Sequence, residues 1–125
     1  FLHINTHFDH KSSVAREKQA EVLVNFINQN SSIPMIITGD FNCESSTTEY
    51  KTILSSGVVS SSAVAEKKKG GATFHNYGSS SKIIDFIFVD PAKVHVLDYT
   101  VCNEKIDGDY ASDHHPVCID FYVLN

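Results

Sequence analysis

The residues in this sequence that could do hydrolytic chemistry sit in four short stretches. Gly39-Asp40-Phe41-Asn42 puts a carboxylate and an amide two residues apart, directly after the apolar run Met35-Ile36-Ile37. An acceptor and a donor delivered by the end of a rigid strand suit a water, a metal shell or a phosphate. A solitary Asp-x-Asn is more often an Asx-type turn. Its company argues otherwise. Asn5-Thr6-His7 closes an alternating segment on an imidazole, and Asp113-His114 stands on a polar loop just before Pro116. Asp85 lies inside Lys82-Ile83-Ile84-Asp85-Phe86-Ile87-Phe88-Val89, where an unpaired carboxylate costs several kcal/mol, so a partner is expected.

These residue types supply the parts of metal-assisted phosphoester hydrolysis. A buried Asp orients a His so that the His can take a proton from water. A further carboxylate holds a hard cation through oxygen. A second imidazole and an amide stabilise charge on phosphoryl oxygens.

The elements that must position them are legible in the periodicity. Residues 1–7 alternate as a strand, with Leu2, Ile4 and Thr6 on one face. From 13 to 28 the period becomes 3.6, with Ala15, Gln19, Val22, Leu23, Phe26 and Ile27 as the apolar face and Ser12 or Ser13 as N-cap. A strand opening at Pro34 follows, so strand, helix and strand form an α/β crossover. Ser46-Thr47-Thr48-Glu49 has the form of a capping box, and Gly57 stands where the resulting short helix should end. Residues 58–65 carry no clear pattern, and Glu66 to Gly71 reads as a mobile, locally basic loop. A brief strand at 72–75 and a turn at 76–81 precede the strand at 82–89, apolar on both faces and expected to be central. Strands at 94–102 and 116–123 complete the chain, the last with Val117, Ile119, Phe121 and Val123 facing one way.

With 125 residues and 42% hydrophobic content, the chain has the composition of one globular domain. A net charge of −5 argues against a nonspecific duplex binder, though not against a phosphate held through a metal. Cys43, Cys102 and Cys118 lack paired C-x-x-C spacing, which points away from a zinc site, and free thiols favour a reducing, cytoplasmic compartment. A Ser-His-Asp acyl hydrolase lacks its G-x-S-x-G elbow.

Asn5-Thr6-His7, Gly39-Asp40-Phe41-Asn42, Ile84-Asp85-Phe86-Ile87-Phe88 and Ser112-Asp113-His114-His115-Pro116-Val117 resemble the C-terminal motifs of the endonuclease/exonuclease/phosphatase superfamily, in order and spacing along the whole chain. Thr73-Phe74-His75 looks most like a bacterial branch related to the deadenylases and nocturnin. The resemblance implies an α/β fold, the C-terminal half of a four-layer α/β/β/α sandwich, with the N-terminal half of the domain and its metal-binding Glu lying outside residues 1–125. It implies a phosphoric ester hydrolase using Mg²⁺, or Mn²⁺, on a nucleic acid, nucleotide, phospholipid or sugar phosphate. His114 would be the general base, or stabilise the attacking water, with Asp85 behind it. Asp40 would position the water, Asn42 and His7 would contact the phosphate, Asp113 would hold the metal, and His75 would contact substrate. The alternative function is an inactive module that pairs with a partner half. The central strand's second face is expected to need that other half as cover.

Overall fold

The computed structural model describes residues 1–125. The elements are β1 (Leu2–His7), α1 (Ser13–Gln29), β2 (Met35–Asp40), α2 (Thr48–Leu54), β3 (Val59–Ser60), α3 (Ser61–Val64), β4 (Lys67–Lys69), a 3₁₀ turn (Asn76–Gly78), β5 (Asp85–Val89), β6 (Val94–Val101) and β7 (Val117–Val123). No helix is long and apolar enough to cross a membrane.

Two sheets form. The first runs β1-β2-β5-β3 and the second β4-β6-β7. β1 and β2 are parallel, joined by the expected crossover through α1, while β5 lies antiparallel to β2. Alternation sends Met35, Ile37, Phe86 and Phe88 to one face of the first sheet, where they join Ala20, Leu23 and Ile27 of α1 and Ile53 of α2. Ile36, Ile87 and Val89 go to the other face and meet Val94 and Val96, with Val117, Ile119 and Phe121 packed alongside. The layers are thus helix, sheet, sheet.

The second face of β5 is therefore covered by this chain's own β6 and β7, not left for another half. The 94–102 and 116–123 segments were readable as strands, but periodicity alone does not say that they form a separate sheet across the core. Five local expectations also change. The brief strand expected at 72–75 is reduced to isolated bridges from Phe74 to Lys82 and His114. The 66–71 loop contains a strand: Lys67–Lys69 pairs in parallel with Asp98–Thr100. Three lysines on an edge strand are a known way to keep an edge from recruiting other chains. Residues 82–84 lie outside β5, so Asp85 opens that strand and does not sit in its middle. The buried stripe of α1 is Ala20, Leu23 and Ile27, while Val22 and Phe26 remain 70% and 44% exposed beside a groove along β1. In α2, Thr47 is the N-cap, accepting from the Tyr50 amide, and the Glu49 side chain turns instead to Arg16 at 2.6 Å.

Candidate active site

The register of the first sheet places the site. His7 pairs with Asp40, and Asp40 with Asp85, so three chemistry-bearing residues form one row across β1, β2 and β5. Asp40 shares its face with Ile36, and Asp85 with Ile87, so both carboxylates point towards the second sheet. β1 and β2 end at this row, and antiparallel β5 begins there. The three side chains gather at one edge of the sandwich because the strand directions and the period of two agree.

Gly39 makes the row possible. A Cβ at this position would lie 2.0 Å from the backbone oxygen of Thr6, so only glycine lets β2 approach β1 this closely. Phe41, fully buried against Phe8, Phe86 and Phe88, anchors the turn that follows. Asn42 adopts φ +48°; its amide N–H donates to Asp40 Oδ1 at 2.9 Å, and its side chain donates to the Phe8 carbonyl at 2.8 Å.

The second sheet contributes His114 from the loop before β7. Its Nδ1 lies 2.8 Å from Asp85 Oδ2, and its Nε2 lies 3.7 Å from Asp40 Oδ2. His7 Nε2 approaches the same Asp40 oxygen at 3.4 Å. Asp40, Asp85 and His114 are close enough together to hold a metal ion. The structure does not bring the Asp113 carboxylate into that group. Its nearest hydrogen-bond partner is the Ser112 hydroxyl at 3.4 Å, and its backbone oxygen accepts from the His75 and Asn76 amides.

Burial raises the Asp85 pKa, against hydrogen bonds from His114 and Thr73 that lower it. For His114 burial pulls the pKa down, but the Asp85 hydrogen bond and the charges of Asp85, Asp40 and Asp113 outweigh it, so the net displacement is upward.

Sequence reasoning missed three residues that hold these groups in place. Thr73 is fully buried; its Oγ1 accepts from the Ile84 and Asp85 amides at 3.0 and 3.1 Å, besides serving the Asp85 carboxylate. The Phe74 ring packs 5.0 Å from that of His114. The Ser112 hydroxyl accepts from the His114 amide at 3.2 Å. The Thr-Phe-His stretch was visible as a motif, but only long-range contacts show that its Thr and Phe serve Asp85 and His114.

His75 is 5% exposed, stacked on Tyr110 and tilted against His115 with ring centroids 4.1 Å from each, and both its ring nitrogens are buried without partners. It lines a cavity of about 300 Å³ that also borders Glu104, Ser112 and His114.

A family profile described as endonuclease-reverse transcriptase matches residues 3–118. The chain belongs to the endonuclease/exonuclease/phosphatase superfamily. Solved structures of this superfamily agree with the fold. An endonuclease/exonuclease/phosphatase family protein from Bacteroides thetaiotaomicron is 28% identical with a TM-score of 0.88, covering 100% of this chain and 50% of its own. A mannosyl-6-phosphatase from the same organism is 28% identical at a TM-score of 0.86, over 98% of this chain and 51% of its own. The catalytic domain of human nocturnin, with bound sulfate, shares the fold at 23% identity and a TM-score of 0.73, over 96% and 46%. This chain therefore spans about half the length of the superfamily structures it matches. A comparison with curated proteins finds no match.

Proposed function

We propose that this chain carries the general-base side of the active site of a divalent-metal-dependent phosphoric ester hydrolase, whose other half lies outside residues 1–125. The observation that carries this reading is the His114 imidazole bridging two carboxylates, Asp85 at Nδ1 and Asp40 at Nε2. With Asp85 ionised, Nδ1 carries the proton and donates to it, so Nε2 is left as an acceptor facing the Asp40 row. A water between Nε2 and Asp40 can pass its proton to His114, and Asp85 stabilises the imidazolium that results. The Asp85 hydrogen bond and the nearby carboxylate charges hold the His114 pKa above its ordinary value, so the imidazole takes a proton more readily. His7, 3.4 Å from Asp40 Oδ2, and Asn42, whose backbone amide is bound to Asp40, stand beside this row and would serve the phosphoryl group.

The donor set fits a hard divalent cation such as Mg²⁺ or Mn²⁺. Asp40 and Asp85 would offer carboxylate oxygens, while the Asp113 carboxylate lies outside the group and is a candidate ligand by the family resemblance alone. When bound, such an ion polarises the phosphoryl oxygens and neutralises charge on the leaving alcohol.

Among phosphoesters we favour a sugar phosphate. The mannosyl-6-phosphatase of similar fold supports this, as does the cavity beside His114. His75, Glu104, Ser112 and His115 are among the residues that line it, and polar side chains of this kind suit sugar hydroxyls. One face of Tyr110 lies on His75 and Lys105 Nζ sits 4.4 Å from its ring, which disfavours stacking of a nucleobase there.

The test is hydrolysis by the full-length protein of hexose 6-phosphates against phosphodiesters, with and without EDTA. Metal-dependent release of phosphate from a hexose phosphate, lost about 10²–10⁴-fold in His114→Ala, supports the reading. A folded His114→Ala protein within tenfold of the parent removes His114 from the mechanism.

A further inference from the structure

Two of the three cysteines are side by side. Val101 and Val117 pair across β6 and β7 and face the core between the two sheets, so the residue after each points outward. Those residues are Cys102 and Cys118, diagonal neighbours across the antiparallel ladder, with their sulfurs 3.7 Å apart. The Cys102 amide donates to the Pro116 carbonyl at 2.8 Å, which pins the two strands together beside the pair. Cys118 is exposed and Cys102 partly so, whereas Cys43 is buried.

We propose that Cys102 and Cys118 form a reversible cross-strand disulfide that takes no part in the hydrolytic chemistry. A disulfide needs its sulfurs about 2.05 Å apart, so each has less than about 1 Å to move. Exposure of Cys118 admits a disulfide oxidant such as oxidised glutathione. The Cys118 thiolate attacks one glutathione sulfur, a protein–glutathione bond forms, and glutathione thiolate leaves. The Cys102 thiolate then attacks the Cys118 sulfur, closing the protein disulfide and releasing the second glutathione. Two protein thiols lose two electrons and two protons, and one glutathione disulfide becomes two thiols.

The position has a consequence. Residues 102–116 form the loop between β6 and β7 that carries Asp113 and His114, and Cys102, its first residue, borders the cavity beside His114. The disulfide closes the base of that loop. Cross-linking a loop of about 15 residues restricts the unfolded chain, so oxidation raises the melting temperature by several degrees. Burial pushes the Cys43 thiol up to about 11, which makes Cys43 a built-in unreactive control.

The experiment equilibrates the 125-residue chain with defined ratios of oxidised to reduced glutathione, traps it with N-ethylmaleimide in denaturant, and weighs it. The expected product carries one maleimide, on Cys43, no glutathione, and a 102–118 link in the peptide map. In Cys102→Ser oxidation should halt at a glutathione adduct on Cys118. Three maleimides at every ratio, a stable Cys118–glutathione adduct in the parent chain, or a disulfide that includes Cys43 would each overturn the proposal. In urea the 102–118 pair still closes the shortest loop, so folded-state geometry is shown by a larger oxidised fraction in buffer than in urea at the same glutathione ratio, and equal fractions would overturn the proposal. None of these readouts depends on the chain being a hydrolase.

Discussion

The Nδ1 of His114 lies 2.8 Å from Oδ2 of Asp85, although Asp85 opens a strand of the first sheet, His114 stands on the loop before the second sheet's last strand, and the two are 29 positions apart. The bond ties the second sheet's last loop to the first sheet's central strand. Asp85 is held from behind by Thr73, so the imidazole meets an acceptor whose direction is set by buried groups.

Asp85→Asn tests that bond by titration. His114 should titrate above its ordinary 6.5 in the parent chain, and the substitution should bring it down, because an acceptor and a negative charge are both removed. Histidine NMR resonances followed against pH report this directly. A His with a raised folded-state pKa contributes stability that is complete below about 6.5 and is lost as pH rises through the folded value. Parent minus variant stability should therefore be larger at pH 5.5 than at pH 8.5. If His114 acts as the base, the acid limb of the rate profile should also move to lower pH while kcat falls. An unmoved resonance would make Asp85 a satisfied core carboxylate only.

Gly39→Ala tests the approach of β1 to β2. The new Cβ meets backbone, not a movable side chain, at 2.0 Å, so relief requires the strands to separate. The cost should reach the upper end of the roughly 1–3 kcal/mol seen for overpacked cores. Since Asp40 is the next residue, any hydrolysis that uses Asp40 as proposed should fall with stability. Urea melts check the first effect, and a melt unchanged within error would show that the strands tolerate the added methyl.

Much of this arrangement was readable in the sequence. The β1–α1–β2 crossover declares itself by a change of period from two to 3.6 and back, and His7, Asp40 and His114 read as lying at or beside strand ends, whereas Asp85 reads as mid-strand and in fact opens β5. What the sequence could not show is which ends coincide. The row His7–Asp40–Asp85 depends on register between strands up to 45 residues apart along the chain, from Asp40 to Asp85, and register is settled by packing. The second sheet was hidden for the same reason. Lys67–Lys69 has no strand propensity of its own and is extended only because β6 offers it a ladder. Glu49 looked like a capping residue locally, but tertiary contact with Arg16 prevailed.

Arg16→Met should be the most damaging change remote from the site. Glu49 is 3% exposed and its hydrogen bond from Arg16 Nε is 2.6 Å. Removing the guanidinium strands a buried carboxylate, which costs about 3–5 kcal/mol. Burial alone would raise the Glu49 pKa, but Arg16 and its neighbours bring it below the ordinary 4.5. A depressed carboxylate contributes stability above its unfolded pKa and loses it as pH falls through the folded one. The parent should lose this increment on acidification below about pH 4.5, and Arg16→Met should lack that part of the acid dependence. Melts of both proteins between pH 3 and 7 decide it.

The isolated chain should fold yet self-associate. Its accessible surface of 7031 Å² is close to the roughly 6,600 Å² expected for a compact 13.8 kDa monomer, and both faces of the first sheet are covered. A cooperative melt follows from that. What stays open is the outer edge of β1, which pairs only with β2 and lies along an apolar groove of about 610 Å³ shared with α1. Val22 and Phe26 stand exposed on its α1 side, and Phe1, at the chain start just before β1, is exposed too. An unpaired strand edge beside exposed apolar side chains recruits another strand. Sedimentation should show mass rising with concentration, and Val22→Lys with Phe26→Lys, on the exposed face of α1, should reduce it while leaving the melt within a few degrees. A parent chain that sediments as a monomer at all concentrations would show that this edge is already self-sufficient.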